Sequence, residues 1–355
     1  MTVMYMNLLT VYVTALFSRY FAKENELTQT KIIPNKLLAL FALLSLVLVS
    51  GLRSNIGDTY YYVHSYTITD YTFQSIDFTG DFGFNLLQML LQQISNDPQI
   101  LLFVTALITN ALIVGVLYHY SRMFELSLYV YITLGFFLVS MNGIRQYLAA
   151  AIIFAATKFL FEGSFKKYLL VVLLAATIHQ SALVLIPIYF IVRKPAWSKM
   201  TFILLFCSII IVAGFEMFLS VLFNVLGNTQ YAGYQNFEEG GANILRVVVY
   251  ATPVIIAFFG KEKLKEMFKH SDVVVNMSVI AMLFMIVSTQ NWIFARFAIY
   301  FGLYQLLLIG WIVKLFIKKD QKLIYLGILV CYFIYFYYEQ ALSLNIIYQS
   351  NYFSF

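Results

Sequence analysis

Apolar runs of about 15 to 23 residues recur from one end of this chain to the other, close to the ~20 residues a helix needs to cross a ~30 Å hydrocarbon core. In lipid each run must be helical, because only a helix satisfies its own N–H and C=O groups without water. The runs fall at 3–21, 37–52, 99–118, 127–141, 147–161, 200–222, 244–260, 273–290, 297–313 and 323–338. With 61% hydrophobic residues, 11% charged residues and a mean hydropathy of +0.81, the 355 residues hold too little polar surface to cover a water-soluble globule. The expected fold is all-α: a single transmembrane helix bundle over 1–355, with about ten spans. The first run has no positive charge before it and no small-residue cleavage site, so it reads as a retained span. Cys207 and Cys331 both fall inside spans and read as small core residues.

Segment 168–192 does not fit one crossing. A single span would put Arg193, Lys194 and Lys199 on the side opposite Lys166 and Lys167, against the bias that keeps basic residues on the cytoplasmic side. Two short helices folded back as a hairpin, or two strongly tilted spans (twelve in all), keep both clusters on one side. His179, Gln180 and Ser181 then lie at the turn.

With that choice every lysine-bearing loop reads as cytoplasmic, including Lys261 to Lys269 and Lys314 to Lys322. The basic residues on the outer face are then Arg53, Arg145, Arg246 and Arg296, each at the end of a span. Arginine presents a planar fork that binds phosphate or carboxylate through two hydrogen bonds, whereas lysine is a hydrated point charge, so this usage suits an anionic, phosphorylated ligand. Pairing with lipid headgroups or with loop acids is the plainer alternative.

Two outer loops are expected, a long one at 53–98 and a second at 223–243. The first carries Asp58, Asp70, Asp77, Asp81 and Asp97, which read mostly as solvated residues or helix caps. Asp58 differs by following Arg53 across a glycine near the membrane surface, where the two could share a site or form an ordinary ion pair. Tyr60, Tyr61, Tyr62 and Tyr66 follow it, and Tyr231, Tyr234 and Phe237 lie in the second loop. Aromatic faces suit sugar rings and equally suit a membrane interface. His179 sits in an otherwise apolar stretch where a polar side chain must face the protein interior or a wet cavity. It could take a proton from a hydroxyl, or simply be a hydrogen-bonded turn residue. Glu216 is a weaker candidate of the same kind. No glycine-rich phosphate loop, metal-ligand spacing or Ser-centred nucleophile elbow is present, so no cofactor and no metal are expected. There is no internal repeat.

The stretches GLRSNIGDTYYYVHSY, MNGIRQYLAAAIIFAATKFL, ATIHQSALVLIPIYFIVRK and NWIFARFAIYFGLYQLLLI together resemble the EpsG family of bacterial exopolysaccharide operons, along essentially the whole chain. That family is similar in role to Wzy-type polysaccharide polymerases. The resemblance implies a plasma-membrane glycosyltransferase that joins polyprenyl-diphosphate-linked oligosaccharide repeat units on the outer face, for a biofilm matrix. Membrane lipids and other exopolysaccharide synthesis and export proteins are its implied partners, and no nucleic acid is. Carried over by position, the family pattern falls on Arg53, Gly57, Asp58 and Tyr62, on Asn142, Gly143, Arg145 and Gln146, on His179, Ser181 and Ala182, and on Arg296, Tyr300 and Phe301. Arg145 and Arg296 would then hold a leaving diphosphate, with Arg53 in support, and Asp58 or His179 would serve as base, while Arg246 either binds substrate or anchors its helix against Glu238 or Glu239. A flippase or exporter of lipid-linked sugars, or a scaffold of a synthase complex, is the competing expectation.

Overall fold

The computed structural model describes residues 1–25, 30, 32–78, 80–226 and 240–352. They form two compact units, one of Met1–Tyr189 with Leu306–Phe355 and the other of Phe190–Gln305. Apart from the two-residue strands Lys23–Glu24 and Ile32–Ile33, which pair antiparallel, the regular structure is helical.

In the first unit, α1 (Thr2–Tyr20) and α2 (Lys36–Gly51) lie antiparallel, tied by Ser45 Oγ to Asn7 Oδ1 at 2.8 Å and by Ser18 Oγ to the Asn35 carbonyl at 2.8 Å. Asn35 caps α2 by accepting from the N–H groups of Leu37 and Leu38. Two short helices follow, α3 (Thr59–Ile68) and α4 (Phe82–Gln92), so the segment expected as a long loop is partly helical. Tyr66, Phe84 and Leu91 bury it against Leu101 and Leu102 of α5 (Gln99–Tyr120), which explains why an acidic stretch folds instead of staying in solvent. Helix α5 runs back along α2: its start donates from Gln99 Nε2 to the Gly51 carbonyl at 2.6 Å, and near its end Tyr118 reaches the Pro34 carbonyl at 2.8 Å.

The run expected as one span at 127–141 is broken. Helices α6 (Phe124–Thr133) and α7 (Phe136–Asn142) meet at a 54° bend, where Gly135 has φ +91°, a conformation that glycine adopts without steric cost. After Gly143 come α8 (Ile144–Ala155) and α9 (Thr157–Glu162). Segment 168–192 does fold back. Helix α10 (Phe165–Ile178) ends at His179, a 3-10 turn spans Gln180–Val184, and α11 (Leu185–Val192) returns so that Tyr189 packs at a tilt against Phe165 and Tyr168 with ring centroids 5.0 and 5.3 Å away. At 14 residues α10 is ~21 Å long, short of a ~30 Å core.

The second unit holds α12 (Lys199–Ala213), α13 (Phe215–Leu226), α14 (Ile244–Phe259), α15 (Lys261–Met267), α16 (Ser271–Val287) and the start of α17 (Ala295–Ile312). Helix α16 packs on both α12 and α14, and Phe215, Val287 and Phe294 form a small core. The run at 200–222 bends by 98° at Gly214, and α15 turns 84° from α14. Helix α17 runs on through a 3-10 turn at Val313–Leu315, and α18 (Gln321–Phe336) with its π-helical end Tyr337–Ser343 completes the first unit.

Among the described residues, three helices are long and apolar enough to cross a membrane alone, Gln99–Tyr120, Trp292–Leu315 and Gln321–Ser343, or up to six spans if each bent pair counts as one. Further apolar helices are shorter. Cys207 and Cys331 are free and exposed, not core residues as expected: spans buried in lipid turn apolar side chains outward as readily as inward, so hydropathy alone does not place them.

Candidate functional site

Three elements of the first unit converge on one carboxylate. Asp81 is the residue before α4, and its side chain, 7% exposed, accepts from the Gln180 N–H at 2.9 Å and pairs with His179 Nδ1 at 2.9 Å and Arg145 Nη1 at 3.3 Å. The approach is set by Gly83, where a Cβ would overlap the Thr177 side chain on α10, so α4 and α10 come together only around glycine. His179 reaches Asp81 because the chain is extended there, φ −154° and ψ 112°, between α10 and the 3-10 turn. Its side chain is 19% exposed. Arg145 lies in the first turn of α8, where the helix dipole disfavours a cation and Asp81 offsets that cost. Its guanidinium carbon stands 6.0 Å from the ring centres of both Tyr62 and Phe84, and its side chain is 44% exposed.

Burial would raise the pKa of Asp81. The hydrogen bond and charge of His179, the Gln180 N–H and the charge of Arg145 outweigh burial and hold it below the ordinary carboxylate value. Asp81 is therefore an anion at neutral pH. With a carboxylate on Nδ1, the imidazole carries its proton there and presents Nε2 as the basic nitrogen, the arrangement by which an aspartate orients a histidine base.

Arg53 is 1% exposed. It donates from Nε to Thr59 Oγ1 at 3.0 Å, from Nη2 to the Met141 carbonyl at 2.7 Å and from Nη1 to the Ser50 carbonyl. Burial draws its pKa down to about 10, which leaves it charged at neutral pH. The expected ligand arginine is thus a clamp between the end of α2, the start of α3 and the end of α7. Beside it, Asn142 Oδ1 accepts from the Asp58 N–H at 2.8 Å and packs on Gly57, which has φ +50°. Ile56 has φ +92°, rare for a β-branched residue and held only because its surroundings fix it.

Asp58 is half-exposed at the N-cap of α3 without capping it through its side chain. Gln146 is buried in α8. Sequence reasoning therefore placed Arg145, His179, Asn142 and Tyr62 in one neighbourhood but missed Asp81, which it counted among solvated acids. Arg246, Arg296 and Tyr300 belong to the second unit. There Arg296 stands over the Trp292 ring at 5.1 Å, Tyr300 is buried in α17, and Arg246 occupies the first turn of α14. Glu216 lies in the first turn of α13. Tyr231, Tyr234 and Phe237 lie outside the described residues, as does part of the expected second outer loop. Among the described residues no group of three or more His, Cys, Asp and Glu is placed to hold a metal ion.

Helices of membrane-crossing length, bent apolar pairs and a folded-back hairpin that carries a charged hub at its turn define a polytopic helical membrane protein. The chain belongs to the EpsG family, whose model matches residues 36–352, nearly its whole length. That membership supports a role of the polysaccharide-polymerase type in exopolysaccharide synthesis. No curated protein and no solved structure matches the chain.

Proposed function

We propose that this protein is a membrane glycosyltransferase that polymerises polyprenyl-diphosphate-linked oligosaccharide repeat units on the outer face of a bacterial plasma membrane, supplying a biofilm matrix. One observation carries the reading: a half-exposed arginine and an aspartate-oriented histidine share a single carboxylate at the end of the helical unit. Glycosyl transfer from a diphosphate needs both groups. In the transfer, the acceptor hydroxyl oxygen forms a bond to the anomeric carbon of the donor repeat as the bond from that carbon to the diphosphate oxygen breaks. His179 Nε2 takes the hydroxyl proton, and Asp81 stabilises the imidazolium that results. Arg145 steadies the negative charge that grows on the leaving diphosphate. The bond being broken already stores the driving free energy, in keeping with a sequence that lacks a nucleotide-binding loop. Asp58 and Asn142 are joined just before α8, Tyr62 lies beside the arginine, and Gln146 is one residue beyond it. Arg296 and Arg246 offer the second unit an anion-binding capacity of its own.

The test is reconstitution of purified protein in liposomes with outward-facing lipid-linked repeat units, comparing wild type with Arg145→Ala. A ladder of lengthening lipid-linked saccharides from wild type, and none from the variant, is expected. No ladder from either, with substrate intact and accessible, would replace the polymerase with a lipid-linked-sugar carrier or a scaffold.

A further inference from the structure

The described C-terminal segment is tied to the loop that leads into the candidate site. After the π-helical turn the chain reverses at Asn345, which has φ +44°, a left-handed conformation that asparagine tolerates. Residues 346–352 then lie along the end of α2 and the loop after it. Tyr348 Oη donates to the Val49 carbonyl at 2.9 Å and Ser350 Oγ to the Leu52 carbonyl at 2.6 Å. Asn55 makes two bonds to this strap, donating from Nδ2 to the Ile347 carbonyl at 2.6 Å and accepting the Gln349 N–H at 2.8 Å. The Ser54 N–H adds a bond to the Gln349 carbonyl at 2.9 Å. Bonds on both sides of Arg53 leave that residue enclosed.

From Arg53 the constraint passes on. Its Nη2 holds the Met141 carbonyl at 2.7 Å, and the Asp58 N–H holds Asn142 Oδ1 at 2.8 Å, so two bonds fasten the loop to the last turn of α7. Gly143 alone separates that turn from α8, and Arg145 is the second residue of α8. We infer that the C-terminal strap at 346–352 and Arg53 form a positioning device that fixes the α7–α8 junction and thereby aims Arg145. Neither touches the reacting groups, so both act through Arg145. Strain at Ile56 fits this assignment, since a β-branched residue held at positive φ relaxes once its restraints are cut.

The inference rests on the polymerase reading only for what Arg145 is aimed at, and its first test needs no activity. Asn55→Ala removes two strap bonds without touching Arg53 or the hub. Hydrogen exchange of the protein in lipid nanodiscs is expected to speed up about five- to thirtyfold at the amides of residues 141–147 as well as at 52–58, the range for loss of one or two hydrogen bonds' worth of local stability. Amides of α16 stay unchanged and control for general loosening. Asn55→Asp keeps the acceptor for the Gln349 N–H and is expected to restore part of the protection. Should 52–58 loosen while 141–147 keep wild-type rates, the strap is a local tie and the inference fails. In the liposome assay Asn55→Ala is expected to lower kcat with little change in KM. A silent wild type there would sink the polymerase reading and leave the exchange result standing. A variant that loosens 141–147 yet keeps full kcat would show that the junction does not aim Arg145.

Discussion

Among its described residues the first unit contains two arginine–carboxylate pairs, at opposite ends of α5, and they are built differently. At the end near Ser121, Glu125 is 0% exposed. It takes Arg19 Nε at 2.6 Å on one oxygen and the Tyr325 hydroxyl at 3.2 Å on the other, with Tyr12 behind Tyr325 at 2.9 Å. At the other end Asp81 takes a histidine and a backbone N–H at 2.9 Å, while its arginine stands off at 3.3 Å with nearly half its surface open. The first pair is short, its carboxylate is sealed, and a second layer backs it. Its geometry suits holding α1, α6 and α18 together. The second holds its histidine through Nδ1 and leaves nearly half of its arginine's side chain exposed, an arrangement that suits a group exchanging one anion for another. A charge pair alone therefore says nothing of function, whereas the tightness of its partners and the exposure of its cation do.

The sharpest way to break the comparison is to cut each arginine. Arg19→Ala leaves Glu125 buried without its ion pair and with only the Tyr325 hydroxyl, and losing one member of a buried pair costs about 3–5 kcal/mol. Thermal unfolding in detergent is expected to drop accordingly, and activity per folded molecule to stay the same. Arg145→Ala is expected to do the reverse, with the rate of ladder formation falling about 10²- to 10³-fold, as for loss of one donor to a developing oxyanion, and the unfolding temperature scarcely moving. If both variants were equally unstable and equally active per folded molecule, the two ends would be the same kind of pair.

Next in size is Tyr325→Phe. It removes the hydrogen bond to Glu125, worth about 1.5–3 kcal/mol for a charged partner, together with the one to Tyr12, and is expected to lower unfolding temperature by less than Arg19→Ala while sparing the ladder rate. A loss of rate without loss of stability would assign the Glu125 cluster a part in the reaction.

How far the sequence reveals these two ends depends on how local their causes are. The hairpin at 168–192 is legible because charge bias and the polar triplet His179–Ser181 both lie within a single segment. Arg145 stands out for a similar reason: an arginine between two apolar runs has to be compensated. The bend at Gly135 is not legible, since a lone glycine in an apolar run is compatible with a straight helix, and what selects the bend is packing. Asp81 is harder still. Five aspartates in one segment look alike until α4 docks on α10 through Gly83 and Thr177, bringing Asp81 to a histidine 98 residues away. Arg53 misleads because its type and position match those of Arg145. Only the fold gives it three protein acceptors and removes it from solvent.

The smallest effect concerns pH, and it separates the ends by sign. The pKa of Asp81 in the folded protein lies below its value of about 3.9 in an unfolded chain, so between the two the unfolded state binds more protons and stability rises with pH. The stabilisation from Asp81 is then fully present above about pH 5, where the unfolded chain is ionised too, and is lost as pH falls through the folded value. The expected measurement is the difference in unfolding temperature between wild type and Asp81→Asn, shrinking towards zero as pH falls below about 4. The asparagine keeps the side chain's shape and one acceptor, so what shrinks is the part owed to charge. Were the difference unchanged down to pH 3, Asp81 would be acting as a neutral hydrogen-bond acceptor, and neither the orientation of His179 by an anion nor the ion pair with Arg145 would survive. A difference that instead vanished while pH was still near 6 would place the folded pKa above the unfolded one, with burial outweighing His179, Gln180 and Arg145.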